Sequence, residues 1–154
     1  MLEEILKIIN NYFYVTGEKG SYNIQNNKLT VKGKYIQGQY IKIEGSIMNN
    51  GVHKVLEVSD NQITLEEAIN EEFDGVIYGL AIPRDIIRLE AKVKEFEECS
   101  ANRRSVIVSD STGAYSRTKA TDKNGNVQTW IGVFANDLRP YRKLTSGKRR
   151  IKLC

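Results

Sequence analysis

His53 is the sole histidine of the chain, and Cys99 and Cys154 are its two cysteines. Acid–base or nucleophilic chemistry would need a partner beside each. No Ser or Cys is readable next to His53, which falls in a predicted strand, so it reads as a structural or surface histidine. Two isolated cysteines and one histidine give no zinc-ligand spacing. They do not read as a disulfide framework either, and a reducing intracellular origin is the expectation. "EEAINEEFD" (66–74) gathers five carboxylates. It lacks the Asp-x-Asp-x-Asn-Gly order of a calcium loop. Acids at the end of a strand read as a solvated edge that discourages edge pairing. Neither a Gly-x-x-x-x-Gly-Lys loop nor a Gly-x-Gly-x-x-Gly fingerprint is present. The sequence therefore predicts no catalysis, no metal and no cofactor.

Charge carries more information. The net +4 divides unevenly: Arg139, Arg142, Lys143, Lys148, Arg149, Arg150 and Lys152 face no acid after residue 138, while residues 1–138 sum to −3. A basic end on a slightly acidic body suits an acidic partner, either nucleic acid or an acidic protein surface. A solvated tail that only aids solubility is the plainer alternative. Tyr35, Tyr40 and Tyr78 would stack bases if the β-structure were an oligonucleotide-binding barrel. Arg and Lys are not interleaved with them, so DNA contact would be with backbone phosphate. No run of 18 apolar residues exists, so no membrane association is expected. "MLEEILKIINNYF" lacks the pattern of a signal peptide.

The elements that must position these groups follow from periodicity. Leu2, Ile5, Leu6, Ile9, Tyr12 and Phe13 recur at helical spacing and predict a helix over 2–13, ended by Gly17 and Gly20. Residues 22–82 read as a β-unit. "KLTV" (28–31), "YIKIEGSI" (40–47), "VHKVLEV" (52–58), "QITLEE" (62–67) and "GVIYGLAI" (75–82) are its strands, with "NNG" (49–51) and "SDN" (59–61) as turns. After Pro83, Ile86, Leu89, Val93 and Phe96 form one apolar stripe of a helix over 84–98. A polar strip of 100–129 includes "SDSTGAYSRTKATDKNGNVQT", with "RSVIVSD" as a short strand and "DKNGN" as a turn. Trp130, Phe134 and Leu138 then mark a helix over 130–141, capped by Thr129. These three are expected to pack on Ile86, Leu89, Val93 and Phe96. The predicted class is α+β: an N-terminal helix, a small antiparallel β-meander or barrel, then two packed helices joined by a long extended arm. Residues 1–144 form one domain and 145–154 a basic tail.

Four segments in order carry a resemblance: "GQYIKIEGSIMNNGVHKV", "LAIPRDIIRLEAKVKEF", "GAYSRTKA" and "WIGVFANDLRPYRKL". Their most specific features are Gly45, Ser46, Asn49, Gly51 and Val52; Gly113, Tyr115 and Ser116; and Trp130, Phe134, Leu138, Tyr141 and Arg142. Together they resemble small head-tail connector (adaptor, head-completion) proteins of tailed phages of Gram-positive bacteria. The resemblance implies a noncatalytic virion structural protein, made in the bacterial host cytoplasm and located in the head-tail neck. It would form a homo-oligomeric ring, of twelve copies by analogy, that docks to the portal protein and joins the DNA-filled head to the tail. Its other partners would be the next neck or tail-completion protein and the packaged double-stranded DNA in the channel. The basic extension after Leu144 departs from the related chains, and the β-unit departs from purely helical connectors. A neighbouring neck or tail-completion role therefore stays open.

On this reading the polar arm reaches adjacent subunits or the portal through Arg103, Arg104, Tyr115, Ser116, Arg117 and Lys119, adding a strand to a neighbour. Arg139, Arg142, Lys143, Lys148, Arg149 and Arg150 grip either an acidic protein patch or DNA, with protein contact preferred. The rival classes are a nucleic-acid-binding small β-barrel with a basic tail and a small enzyme with an unpaired site.

Overall fold

The computed structural model describes residues 1–102, 111–112, 115–116 and 129–144. The chain divides into two compact units: a β-unit of Leu2 and Tyr12–Pro83, and a helical unit of Met1, Glu3–Asn11 and the chain from Arg84 on.

The β-unit is a closed, six-stranded antiparallel barrel. Its strands are β1 (Tyr14–Gln25), β2 (Lys28–Thr30), β3 (Tyr40–Glu44), β4 (Gly51–Ser59), β5 (Gln62–Leu65) and β6 (Glu71–Leu80). The order around the barrel is β1-β2-β5-β4-β3-β6. This is a barrel, one of the two expected forms, but not a simple meander: β2 pairs with β5 (Leu29 opposite Ile63), and β6 lies between β3 and β1. The alternation in "YIKIE" places Ile41 and Ile43 inside, with Tyr40, Lys42 and Glu44 half-buried. Ile24, Leu29, Ile41, Ile43, Val55, Ile63, Leu65 and Ile77 fill the interior. Each such burial is worth about 1.5–3 kcal/mol.

The β-unit starts earlier than expected, at Tyr14 rather than residue 22. Gly17 and Gly20 read as helix stops, yet both lie within β1. Gly17 sits opposite Tyr78, and a Cβ on it would lie 2.9 Å from that ring. Glycine there makes room for the aromatic ring across the ladder. The β1–β2 hairpin is also absent from the sequence expectation. Gln25 pairs with Lys28 around Asn26 and Asn27, at φ 50° and 65°. Two consecutive positive-φ residues are the signature of a two-residue type I′ turn. The crossover after β2 is pinned by Glu18, which accepts hydrogen bonds from the Lys32 and Gly33 backbone N–H groups, each at 2.9 Å, and from the Tyr35 hydroxyl. Burial and the Glu18 charge push the Tyr35 hydroxyl pKa well up.

The helical unit holds α1 (Leu2–Ile8), α2 (Arg84–Asn102), α3 (Trp130–Val133) and α4 (Ala135–Leu138), followed by a 3₁₀ turn, Arg139–Tyr141. The first helix stops well short of residue 13. Asn10, at φ 52°, takes the left-handed position, with its N–H on Lys7 O and the Asn11 N–H on Leu6 O. That is a Schellman stop with asparagine in the glycine role. Tyr12 and Phe13 therefore lie beyond the helix. α2 starts at the expected residue and runs four residues past the expected end at 98.

The expected continuous helix over 130–141 is broken at Phe134, at φ −98° and ψ 14°. Ile131, Gly132 and Val133 are weak helix formers, which leaves α3 at one turn. Thr129 caps it as expected, its hydroxyl accepting from the Gly132 N–H at 3.4 Å. Pro140 at the start of the 3₁₀ turn ends the segment. Ile86, Leu89, Val93, Trp130 and Leu138 are buried. Phe96 and Phe134 are only half-buried, meeting edge to face with centroids 6.1 Å apart. Two hydrogen bonds tie the end of the unit to its start: Lys143 N–H to Ile9 O at 2.8 Å, and Asn11 Nδ2 to Tyr141 O at 3.2 Å. Within the polar strip, Ser111–Thr112 (β7) and Tyr115–Ser116 (β8) pair as a short antiparallel ladder.

Candidate functional site

The connection between β3 and β4 is the most constructed surface feature of the barrel. It begins at Gly45, at φ +98°, where a Cβ would sit 2.7 Å from Asp74 O. Only glycine suits both the backbone angle and the close approach. From there the chain turns through Ser46, Ile47, Met48 and Asn49, and one carboxylate holds all four. Glu71, at the start of β6, accepts from the Ser46 hydroxyl at 2.6 Å, from the Ile47 N–H at 2.9 Å and from the Met48 N–H at 3.4 Å. The Asn49 side-chain amide also donates to Glu71. The Asn49 N–H closes the turn on Ser46 Oγ at 2.6 Å. These bonds, the Ser46 hydroxyl first, hold the Glu71 carboxyl at a pKa of about 2, well below its ordinary 4.5.

His53 supports the same turn from below. It is buried on β4, with Nε2 2.9 Å from Asn49 O and Nδ1 2.5 Å from Glu67 Oε2. The imidazole spans a backbone carbonyl and a carboxylate. Among the described residues no group of three or more His, Cys, Asp and Glu could hold a metal ion.

What this frame presents is apolar. Ile47 is 94% exposed and Met48 82% exposed. Two adjacent large apolar side chains therefore stand in solvent on a turn that is braced by hydrogen bonds. The "EEAINEEFD" acids were expected to be a solvated edge. Glu66, Glu67, Glu72 and Asp74 are exposed, as expected of such an edge, while the half-buried Glu71 braces the turn and Glu67 reaches it through His53. The available sequence signal was the Ile-Met pair inside otherwise turn-forming "GSIMNNG".

A second cluster lies on β1, β3 and β6. Lys42 Nζ sits 3.9 Å from the Tyr12 ring centroid, 3.0 Å from Tyr14 Oη and 2.5 Å from Glu44 Oε1. Tyr14 stacks on Tyr12 at 5.6 Å and meets Tyr78 at 4.7 Å. Burial pulls the Lys42 pKa down, but the bonds to Glu44 and Tyr14 outweigh it and raise it. Of the tyrosines considered for base stacking, Tyr35 is buried in the core and Tyr78 is half-buried with its ring against Tyr14. Tyr40 is half-buried.

The other candidate residues fall as follows. Arg139, Arg142 and Lys143 are exposed at the end of the helical unit. Tyr115 and Ser116 lie in β8. Arg103, Arg104, Arg117, Lys119, Lys148, Arg149 and Arg150 lie outside the described residues, as do the expected strand at 104–110 and turn at 122–126. No helix among the described residues is long and apolar enough to cross a membrane. No protein-family model matches this chain, and no curated protein matches it.

Proposed function

We propose that this chain is a noncatalytic assembly protein: a head-tail connector subunit that forms a ring, docks to a phage portal and joins the filled head to the tail. The observation that carries the reading is the Glu71-braced turn, which spends a buried histidine and a carboxylate on holding Ile47 and Met48 out in solvent. Such preorganisation lowers the ordering cost of docking. The four resembling segments supply the finer identity, and this turn lies within the first of them. The copy number of twelve, the portal and the neck or tail-completion partner rest on that resemblance.

The nucleic-acid-binding alternative gains less support. Residues 12–83, the barrel, carry six lysines, no arginine and nine acids, a net −3 that repels phosphate. The barrel interior is filled by its own aliphatic and aromatic side chains, which leaves its outer surface as the working part.

The polar arm provides the test. Replacing Ser109–Asn126 with a short Gly-Ser linker should leave the circular dichroism spectrum and melting temperature nearly unchanged, because the buried stripes at 86–93 and 130–138 are untouched. Assembly into rings, followed by particle mass, should be lost. A deletion variant that assembles like the parent chain would remove the arm from the account.

A further inference from the structure

The turn at 46–49 needs a receiving surface, and charge narrows the choice. Its base is acidic. Glu71 bonds the turn directly, Glu67 reaches it through His53, and the Asp74 backbone packs against Gly45. Glu66, Glu67, Glu72 and Asp74 are exposed around it, and Lys54 is turned toward Glu66 at 3.8 Å. An anionic lipid surface or a nucleic acid would meet like charge there. The partner must instead offer apolar area rimmed by basic side chains.

This chain carries such a surface. Arg139, Arg142 and Lys143 are exposed within one short segment that ends at Leu144, itself 85% exposed. None of the three cations forms an ion pair with a carboxylate among the described residues. The chain from Arg139 on carries seven basic residues and no acid.

We infer that the Ile47–Met48 tip of one copy docks on the 139–144 segment of a second copy, with the apolar pair against Leu144 and the acids at the base of the turn facing Arg139, Arg142 and Lys143. Donor and receiver are different residues of one subunit, so each copy can give and receive: reciprocated between two copies the contact closes a twofold dimer, and passed head to tail it is heterologous. Repetition of such a contact closes a ring or runs on as an open chain. The inference rests on the assembly reading above and names the surfaces that carry it. It also gives the basic end of the chain a protein partner.

Lys32, Lys34 and Ile36 form a second exposed basic-apolar stretch, on the barrel. It offers two cations where the 139–144 segment offers three, and it is the named competitor.

The test places a photo-reactive benzoylphenylalanine at position 48 of the full chain, a site whose exposure tolerates it. After irradiation of the assembled protein, the cross-linked peptides are identified by mass spectrometry. The expected product joins position 48 to residues 139–144 of a second copy, with a yield that falls as salt screens the charges. Ile47→Ser combined with Met48→Ser should weaken assembly roughly tenfold or more while leaving the melting temperature of the chain unchanged. Cross-links to Lys32–Ile36, or to any other surface, overturn the inference even if rings form. Absence of a chain–chain product in assembled protein does the same. Cross-links to 139–144 in a particle that is an open chain or a dimer would keep the docking and sink the ring.

Discussion

Trp130→Ala is expected to unfold the helical unit. Trp130 is 8% exposed and opens α3, a helix of only four residues, which is followed by another of four. Helices this short have no stability of their own, because nucleation is not repaid within one turn. Their position depends on what Trp130 and Leu138 bury. Truncating a buried aromatic to alanine costs about 3–5 kcal/mol, against about 5–15 kcal/mol for a whole domain. The variant should be insoluble or melt far below the parent, while Trp130→Phe should lose much less. Thermal melts followed by circular dichroism decide it. An unchanged melting temperature in Trp130→Ala would mean that the indole is a contact residue and not a core one.

The second large effect is expected at Glu71, and it is functional before it is structural. Alanine there removes the shared acceptor of the Ser46, Ile47, Met48 and Asn49 donors. Water can replace the bonds to the exposed Ile47 and Met48 backbone, while the buried Ser46 hydroxyl loses its acceptor; the barrel core residues are untouched. The turn then has to be ordered on docking, a penalty of roughly tenfold in affinity for each residue whose backbone must be fixed again. Glu71→Ala should therefore assemble at least tenfold more weakly, and its melting temperature should fall as well, because a carboxylate whose pKa is lowered on folding stabilises the fold. Acid should act in the same direction. The Glu71 pKa is lowered to about 2 from 4.5 in the folded chain, so its bonds contribute fully above about 4.5 and are lost as pH falls toward 2. Assembly of the parent chain, measured by sedimentation, should weaken across that window, and the Glu71→Ala variant should lack this component. Parent-like assembly by the variant would show that the turn is not the anchor.

How much of this was legible in the sequence depends on whether a signal was local. Strand alternation around Ile41 and Ile43, the apolar stripe of α2 and the Thr129 cap all act within a few residues, and each appears in the fold; the turn expected at "NNG" is instead a longer connection that begins at Gly45, so the strand expected over 40–47 ends at Glu44. The misses have non-local causes. Gly17 looks like a helix stop until Tyr78 is known to lie across from it. Asn10 ends α1 through a left-handed angle that its neighbours do not announce, so the helical spacing of Tyr12 and Phe13 misled. The strand order depends on β2 reaching β5 and on β6 joining β3 to β1, which no periodicity encodes. Glu71 looked like one acid among five because its donors are 22 to 25 residues away in the chain. The Ile47–Met48 pair was visible as composition, but its exposure was not.

The central claim is that this chain works by assembling through its own surfaces. Native mass spectrometry of the purified full chain, run across protein concentration and paired with negative-stain microscopy, tests it most directly. The account predicts a single closed species of fixed copy number with ring-shaped particles, dissociating at high salt. A chain that stays monomeric at every concentration, yet binds duplex DNA with an affinity that falls as salt rises, would contradict it.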